Sequence, residues 1–253
     1  MLTFAADTVI KYIPFEVEHS LVNTIDIETD TDGPVQPYLQ GLANDLSAGM
    51  DLPDGMNIKI SVINSDVVNA FATLDGNVVF FTGLLDVIPN ENTLAMVMAH
   101  EIAHIKLRHP LRALGRGVVV GIAIATITGV ASNDIVAGFI GNTGLLTALS
   151  FNREQESASD KLAVDALVKH YGHAGGAAQL FKVFDKVSGE TKNIVPEFFA
   201  THPLNQNRTE SIEKQVHHNG WKLHGKLDDL PAPIIKELKR LHEEKENGEN
   251  TKE

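Results

Sequence analysis

Cysteine is absent from the chain, which excludes disulfides, thiolate metal sites and a cysteine nucleophile together. It leaves the compartment open, because oxidising and reducing environments both tolerate a cysteine-free protein. Basic charge is scarce: 21 Lys and Arg stand against 33 Asp and Glu, a net charge of −12. So acidic a chain is a poor binder of nucleic acid and offers no basic patch to anionic lipid. No Gly-rich phosphate loop is present, which argues against phosphate-bearing substrates. The basic n-region of a signal peptide is missing too, since Asp7 follows Met1-Leu-Thr-Phe-Ala-Ala at once. What remains is 253 residues, 43% of them hydrophobic, enough for one catalytic domain with extensions.

Within that background lies His100-Glu101-Ile102-Ala103-His104, inside a helical run over 93–107. On a helix turning about 100° per residue, positions four apart lie about 40° from each other. His100 and His104 therefore aim two imidazoles at one point, and Glu101 stands beside them, placed to act on water. Chance yields the pattern in about 3% of chains of this composition, so its surroundings have to decide. Met96, Val97, Ala99, Ile102, Ala103 and Ile105 make the helix apolar nearly all round, which predicts burial. Two imidazoles and a carboxylate in a buried helix need partners, and a divalent ion supplies them. The competing reading is two surface histidines flanking a solvated acid.

A catalytic zinc takes three protein ligands and keeps one position for water. A third histidine six residues after the second is excluded, because Pro110 stands there. His109, nine residues after His100, is expected to face about 180° away on the same helix. Its expected role is to cap the C-terminal end, where Pro110 stops the turn. Glu156 and Asp160 open a second helical run over 152–170, four apart and on one face, with an apolar stripe at Leu162, Ala163, Ala166 and Leu167. On spacing alone Glu156 is either the third ligand, with Asp160 fixing a histidine tautomer, or an ordinary acid in a first helical turn.

Four ordered pieces between residues 69 and 208 resemble the zinc metallopeptidase family of the CAAX prenyl protease, HtpX, the OMA-type mitochondrial peptidase and BepA-like enzymes. They are Asn69-Ala70-Phe71-Ala72 followed by Phe80-Phe-Thr-Gly-Leu-Leu85, the His100–His104 motif with Arg108-His109, Arg153-Glu-Gln-Glu156 with Asp160, and Thr201-His202-Pro203 with Arg208. The resemblance implies an α+β, mostly helical, zincin-like domain of gluzincin type, with a small antiparallel sheet and the metal helix. It implies one Zn2+ held by His100, His104 and Glu156, with Asp160 behind the ligands and Glu101 as general base. His202 and Arg208 are implied as a pair near the reacting centre, positioned to hold an oxyanion or a substrate carbonyl. His202 is also a candidate for the metal in a closed form. The strand residues Asn69, Ala70, Phe71, Val78 and Phe80 are the candidates for substrate contact, since an extended peptide pairs with a sheet edge. Two positions depart from the family: Asn152 stands where Ser is common, and Ala158-Ser159-Asp160 where Glu-Ala-Asp is common.

The organisation expected is a lead-in over 1–33 following a removed membrane or signal segment, a metallopeptidase domain over 34–222, and a C-terminal helix with a charged, disordered tail over 223–253. Inside the domain, a helix is predicted over 34–48 and strands over 58–63, 68–73 and 77–82, with Asp75-Gly76 as a tight turn. Further helices are predicted near 174–187 and 209–216. His170, His173, His217 and His218 are expected at solvated helix ends. An apolar stretch over 117–152 is broken only by Asp134; it fits a buried or dimer-forming helical hairpin, a membrane-dipping hairpin or a lid. The implied partner is a polypeptide, unfolded or from membrane or envelope proteins, with the domain at a bacterial inner membrane facing the periplasm. The rival reading is a membrane-associated chaperone or assembly factor that keeps the fold without hydrolysis. Intact Glu101 favours the enzyme.

Overall fold

The computed structural model describes residues 33–115, 151–183 and 207–249, with the isolated positions 15, 198, 201 and 202. The apolar stretch, most of the lead-in and the last four residues of the helix expected near 174–187 lie outside them; of that helix, 175–178 are turns and 179–183 are helical. Among the described residues the main elements run in the order α1 Val35–Ala48, β1 Lys59–Ile63, β2 Ala70–Ala72, β3 Asn77–Phe81, α2 Thr82–Val87, α3 Glu91–Lys106, α4 Arg153–Tyr171, α5 Asn207–His218 and α6 Ala232–Glu249. A short helical turn over 109–115 succeeds α3.

The sheet is mixed where an antiparallel one was expected. Its order is β1-β3-β2; β2 runs antiparallel to β3, and β1 runs parallel to it, with Ile60 opposite Val78 and Val62 opposite Phe80. The antiparallel pair comes from the Asp75-Gly76 turn, whose residues both sit at positive φ, 59° and 74°, as a tight hairpin of this type requires. A Cβ on Gly76 would stand 1.9 Å from the Asn57 carbonyl oxygen, so that position admits only glycine. β1 reaches the far side of β3 by a crossover, which fixes its parallel sense.

Every edge of this sheet is accounted for. The outer side of β1 is covered by α1: Gln36 Nε2 donates to the Ile60 carbonyl, Gln40 Nε2 to the Ile58 carbonyl, and the Ile60 N–H donates to Gln40 Oε1. With β1 covered by side-chain amides and β3 in the centre, β2 is the strand that presents an edge. Along β2, residues 69 and 73 bond toward β3: Phe81 N–H donates to the Asn69 carbonyl and Thr73 N–H to Asn77. The backbone groups of 68, 70 and 72 therefore face away from the sheet.

Helix α3 runs through the middle of the core, with Asn92 through Ile105 all buried. Asn90 caps its start by accepting from Thr93 N–H at 2.9 Å, and Glu91 binds both Tyr38 and Tyr171 hydroxyls at 2.8 and 2.9 Å. Its neighbour α4 starts in a capping box, with Asn152 accepting from the Gln155 N–H and Gln155 returning to the Asn152 N–H. Asn152 supplies the cap acceptor that a serine here would supply, so the departure expected from the resemblance leaves the helix start intact. Gly172 ends α4 in the left-handed conformation, at φ 76°.

Two expectations about the later chain need correction. The charged segment from His242 onward is helical as far as Glu249, because Ile234, Leu238 and Leu241 form a buried stripe and Arg240 pairs with Glu237 and Glu244 one turn either side. His173 is buried, and its Nδ1 accepts from Gly175 N–H at 3.0 Å; it belongs to the turn after α4. His170, His217 and His218 are exposed, as helix-end residues should be.

Candidate metal centre

Four donor atoms meet where α3, α4 and the 201–202 turn converge. His100, His104, Glu156 and His202 each offer a ligand atom, all within 4.8 Å of one another and all buried. Nε2 of His100 and Nε2 of His104 are 2.9 Å apart. Glu156 Oε2 lies 3.4 Å from His100 Nε2, and its Oε1 lies 3.4 Å from His104 Nε2. Nδ1 of His202 is 3.3 Å from His100 Nε2 and 3.0 Å from Glu156 Oε1. Ligands about 2.0–2.1 Å from a tetrahedral ion sit about 3.3 Å from each other, so these separations describe the edges of a site of that size. Two imidazole nitrogens aimed at each other across 2.9 Å, with a carboxylate between, are a donor set that calls for a cation. The residues fit the group.

The supporting contacts distinguish the two α3 histidines. His100 Nδ1 lies 3.0 Å from Asp160 Oδ1. Asp160 in turn receives Arg208 through Nε and Nη2, both at 2.7 Å. Nη1 of the same guanidinium lies 2.8 Å from Glu156 Oε2, an ion pair without hydrogen-bond alignment. One arginine thus clamps Glu156 and Asp160 together, 5% exposed and stacked against Phe181 at 5.0 Å. Arg208 was expected to face a substrate carbonyl; it faces these two carboxylates instead, because α5 delivers it behind α4, where Gln215 also binds Asp165 and the Lys161 carbonyl.

Glu101 is held by the sheet. Its Oε2 accepts from the Ala72 N–H of β2 at 2.8 Å, while its Oε1 and Nε2 of His202 lie 3.3 Å apart without hydrogen-bond geometry. Burial pushes the Glu101 carboxyl up, against the opposing pull of His202 and His100. Burial would raise Glu156 as well, but His202 and His100 outweigh it and hold that carboxyl well below its usual range. Burial lowers His104, with the charge of His100 adding to the effect. His100 moves the other way: burial is outweighed by Glu156 and Asp160, and it rises to about 9.

Of the strand residues expected at the cleft, Asn69, Ala70 and Phe71 lie on or beside the edge β2. Val78 and Phe80 stand on the central β3, fully buried and paired on both sides, so they are unavailable to a peptide. Asn69 and Phe71 are themselves 2% and 5% exposed, so contact there runs through backbone. The outward side of β2 is occupied by the chain itself: the Phe198 N–H reaches the Val68 carbonyl at 3.4 Å. His202 N–H donates to the Phe198 carbonyl at 2.7 Å, and the Phe198 ring stacks on the His202 imidazole at 4.5 Å.

Sequence reasoning missed two aromatic walls and one histidine. Phe151, 47 residues beyond His104, stacks on it at 4.0 Å, while Phe198 backs His202 from one turn earlier in the chain. His109 does not cap α3 from its far side. Leu107 ends the helix and Arg108 takes φ 58°, which turns the chain back and brings His109 Nδ1 to 3.0 Å from His104 Nδ1.

The model of peptidase family M48 matches residues 34–216. The chain belongs to this family. Among relatives of this M48 chain, the beta-barrel assembly-enhancing protease of Escherichia coli (strain K12) is 33% identical over 160 residues, 58% of this chain and 32% of that protein. The mitochondrial metalloendopeptidase OMA1 of Saccharomyces cerevisiae is 26% identical over 180 residues, 67% of this chain and 50% of that one. The human OMA1 metalloendopeptidase is 25% identical over 207 residues, 76% and 39% respectively. The chain therefore spans about a third to a half of the length of these relatives. Among the described residues, no helix is long and apolar enough to cross a membrane.

Proposed function

We propose that this M48 chain is a zinc-dependent endopeptidase, the reading that the named relatives and the buried four-donor cluster support together. His100, His104 and Glu156 hold the ion, and three nitrogen or oxygen donors from the protein are the set that zinc hydrolases use. When bound, the ion supplies Lewis acidity toward a peptide carbonyl and a water. Glu101 takes the proton from that water and delivers it to the leaving amine. Its raised carboxyl, fixed by the Ala72 N–H, is suited to hold a proton between those two events. Asp160 and Arg208 position the ligands: the first orients His100, the second ties Glu156 to Asp160.

The arrangement seen is a closed one on this reading. His202 stands at the fourth corner of the cluster, and its other nitrogen approaches Glu101. An extended peptide entering along β2 displaces the Phe198 backbone from Val68, and His202 with it; His202 is then free to meet the developing oxyanion. Substrates on this reading are polypeptides in extended, unfolded form, including those of membrane or envelope proteins, in keeping with the names of the relatives. A site at the bacterial inner membrane facing the periplasm belongs to the same proposal, as does contact with the membrane or a second copy through 117–152.

Replacing Glu101 with Gln is the decisive test. Glutamine keeps an oxygen for the Ala72 N–H, so the variant should bind one zinc per chain while casein cleavage falls at least about 100-fold. Cleavage by the variant at the wild-type rate overturns the mechanism.

A further inference from the structure

Ligand histidines need a partner on their second nitrogen to fix tautomer and ring orientation, and the two α3 ligands solve this differently. His100 has Asp160, a carboxylate clamped by Arg208. Among the described residues, the group at His104 Nδ1 is no carboxylate or backbone carbonyl but Nδ1 of His109, 3.0 Å away. The two rings meet edge to face, with centroids 4.9 Å apart and planes at 70°. Both are buried, 0% and 2% exposed. Phe151 touches both rings, at 4.0 and 5.9 Å, which leaves little freedom to turn.

We infer that His109 is a positioning residue for the metal, the hydrogen-bond acceptor that fixes the tautomer of His104. The inference rests on the proposed ligand set. With Nε2 of His104 directed at the other donors, its proton sits on Nδ1 and is donated to His109 Nδ1. His109 is then neutral, with its own proton on Nε2. His109 also lines a pocket of about 230 Å³ with Arg112, Asn152, Glu154 and Gln155. Ser159 Oγ lies 3.4 Å from the same His109 Nδ1, farther than the 3.0 Å to His104 Nδ1, so the single lone pair on that nitrogen is assigned to the shorter contact. The departure from family pattern at 158–160 therefore places a hydroxyl, at Ser159, against this relay. The backbone reason is Arg108: without its left-handed turn, a histidine five residues beyond His104 would point elsewhere.

The test compares His109→Asn with His109→Leu in the full chain, titrated with zinc against a chelator of known affinity. Asparagine can place its amide oxygen where Nδ1 stood; leucine fills similar space without an acceptor. The leucine variant should lose 10- to 100-fold in zinc affinity, roughly the range for such outer partners, and asparagine should restore most of it. In the cobalt-substituted protein, an exchangeable ring N–H resonance of His104 should persist in the asparagine variant and vanish or exchange rapidly in leucine. Leucine binding zinc within twofold of wild type overturns the inference, as does equal loss in both variants. Wild type binding no stoichiometric zinc overturns the ligand reading itself, a separate failure seen before either variant is made.

Discussion

Arg208→Met isolates the clamp behind the metal ligands. The guanidinium makes two 2.7 Å hydrogen bonds to Asp160 and a 2.8 Å ion pair to Glu156. All three side chains are nearly inaccessible, between 2% and 5% or so exposed. Methionine keeps the stem's volume against Phe181, so little cavity forms. What is lost is the guanidinium that bridges two buried carboxylates, leaving them the His100 imidazolium beside them, and stripping one partner from such an arrangement costs about 3–5 kcal/mol. Urea unfolding of the metal-free chain at pH 7, followed by circular dichroism, measures this directly. The same variant loaded with zinc should lose less, by roughly 1 kcal/mol or more, because the ion then compensates Glu156. Asp160→Asn in the Arg208→Met background should recover part of the loss, since it removes one orphaned charge. A metal-free loss under about 1 kcal/mol would refute the reasoning: the carboxylates would then be neutral or wet, and the clamp dispensable.

Two further outcomes follow from the same centre. His100 in the metal-free chain rises from 6.5 to about 9; its stabilising contribution is whole below pH 6.5 and is lost as pH climbs through about 9. Glu156 and Asp160, held below their usual range, keep theirs until pH falls below about 4. Unfolding free energy without metal should therefore fall by on the order of 3 kcal/mol between pH 6.5 and 9, and a flat profile over that window counts against the cluster. His202→Ala should weaken zinc affinity, because it removes a donor from the cluster, and should slow casein cleavage, because it removes the proposed oxyanion partner; cleavage faster than wild type would overturn the oxyanion role.

The metal cluster was legible because its logic is local. His100 and His104, like Glu156 and Asp160, are fixed by one helical turn, and burial of α3 shows in its all-round apolar surface. The convergence of the two pairs came from family resemblance, since no spacing within 50 intervening residues reveals it. The sheet's mixed order was hidden for a related reason: the Asp75-Gly76 hairpin is a local signal, but the side of β3 that receives β1 depends on α1, where Gln36 and Gln40 read as ordinary polar positions. His109 was misplaced by assuming the helix continued. A left-handed turn at arginine, not glycine, gives no compositional warning. The tail was misread by weighing its charge above the stripe of Ile234, Leu238 and Leu241.

The outward rungs of β2 set a ruler. Val68 and Ala72 are four residues apart, about 13 Å along a strand; the first carbonyl is taken by the Phe198 amide and the second amide by Glu101. Between them lies a landing place long enough for only a few backbone groups. On the proposed reading a peptide would have to arrive as bare, straightened chain and evict the Phe198 segment to gain more length. Native globules, whose strands are already satisfied, have nothing to offer such an edge, so on the proposed reading a preference for unfolded chain would arise from main-chain geometry before any side chain is read.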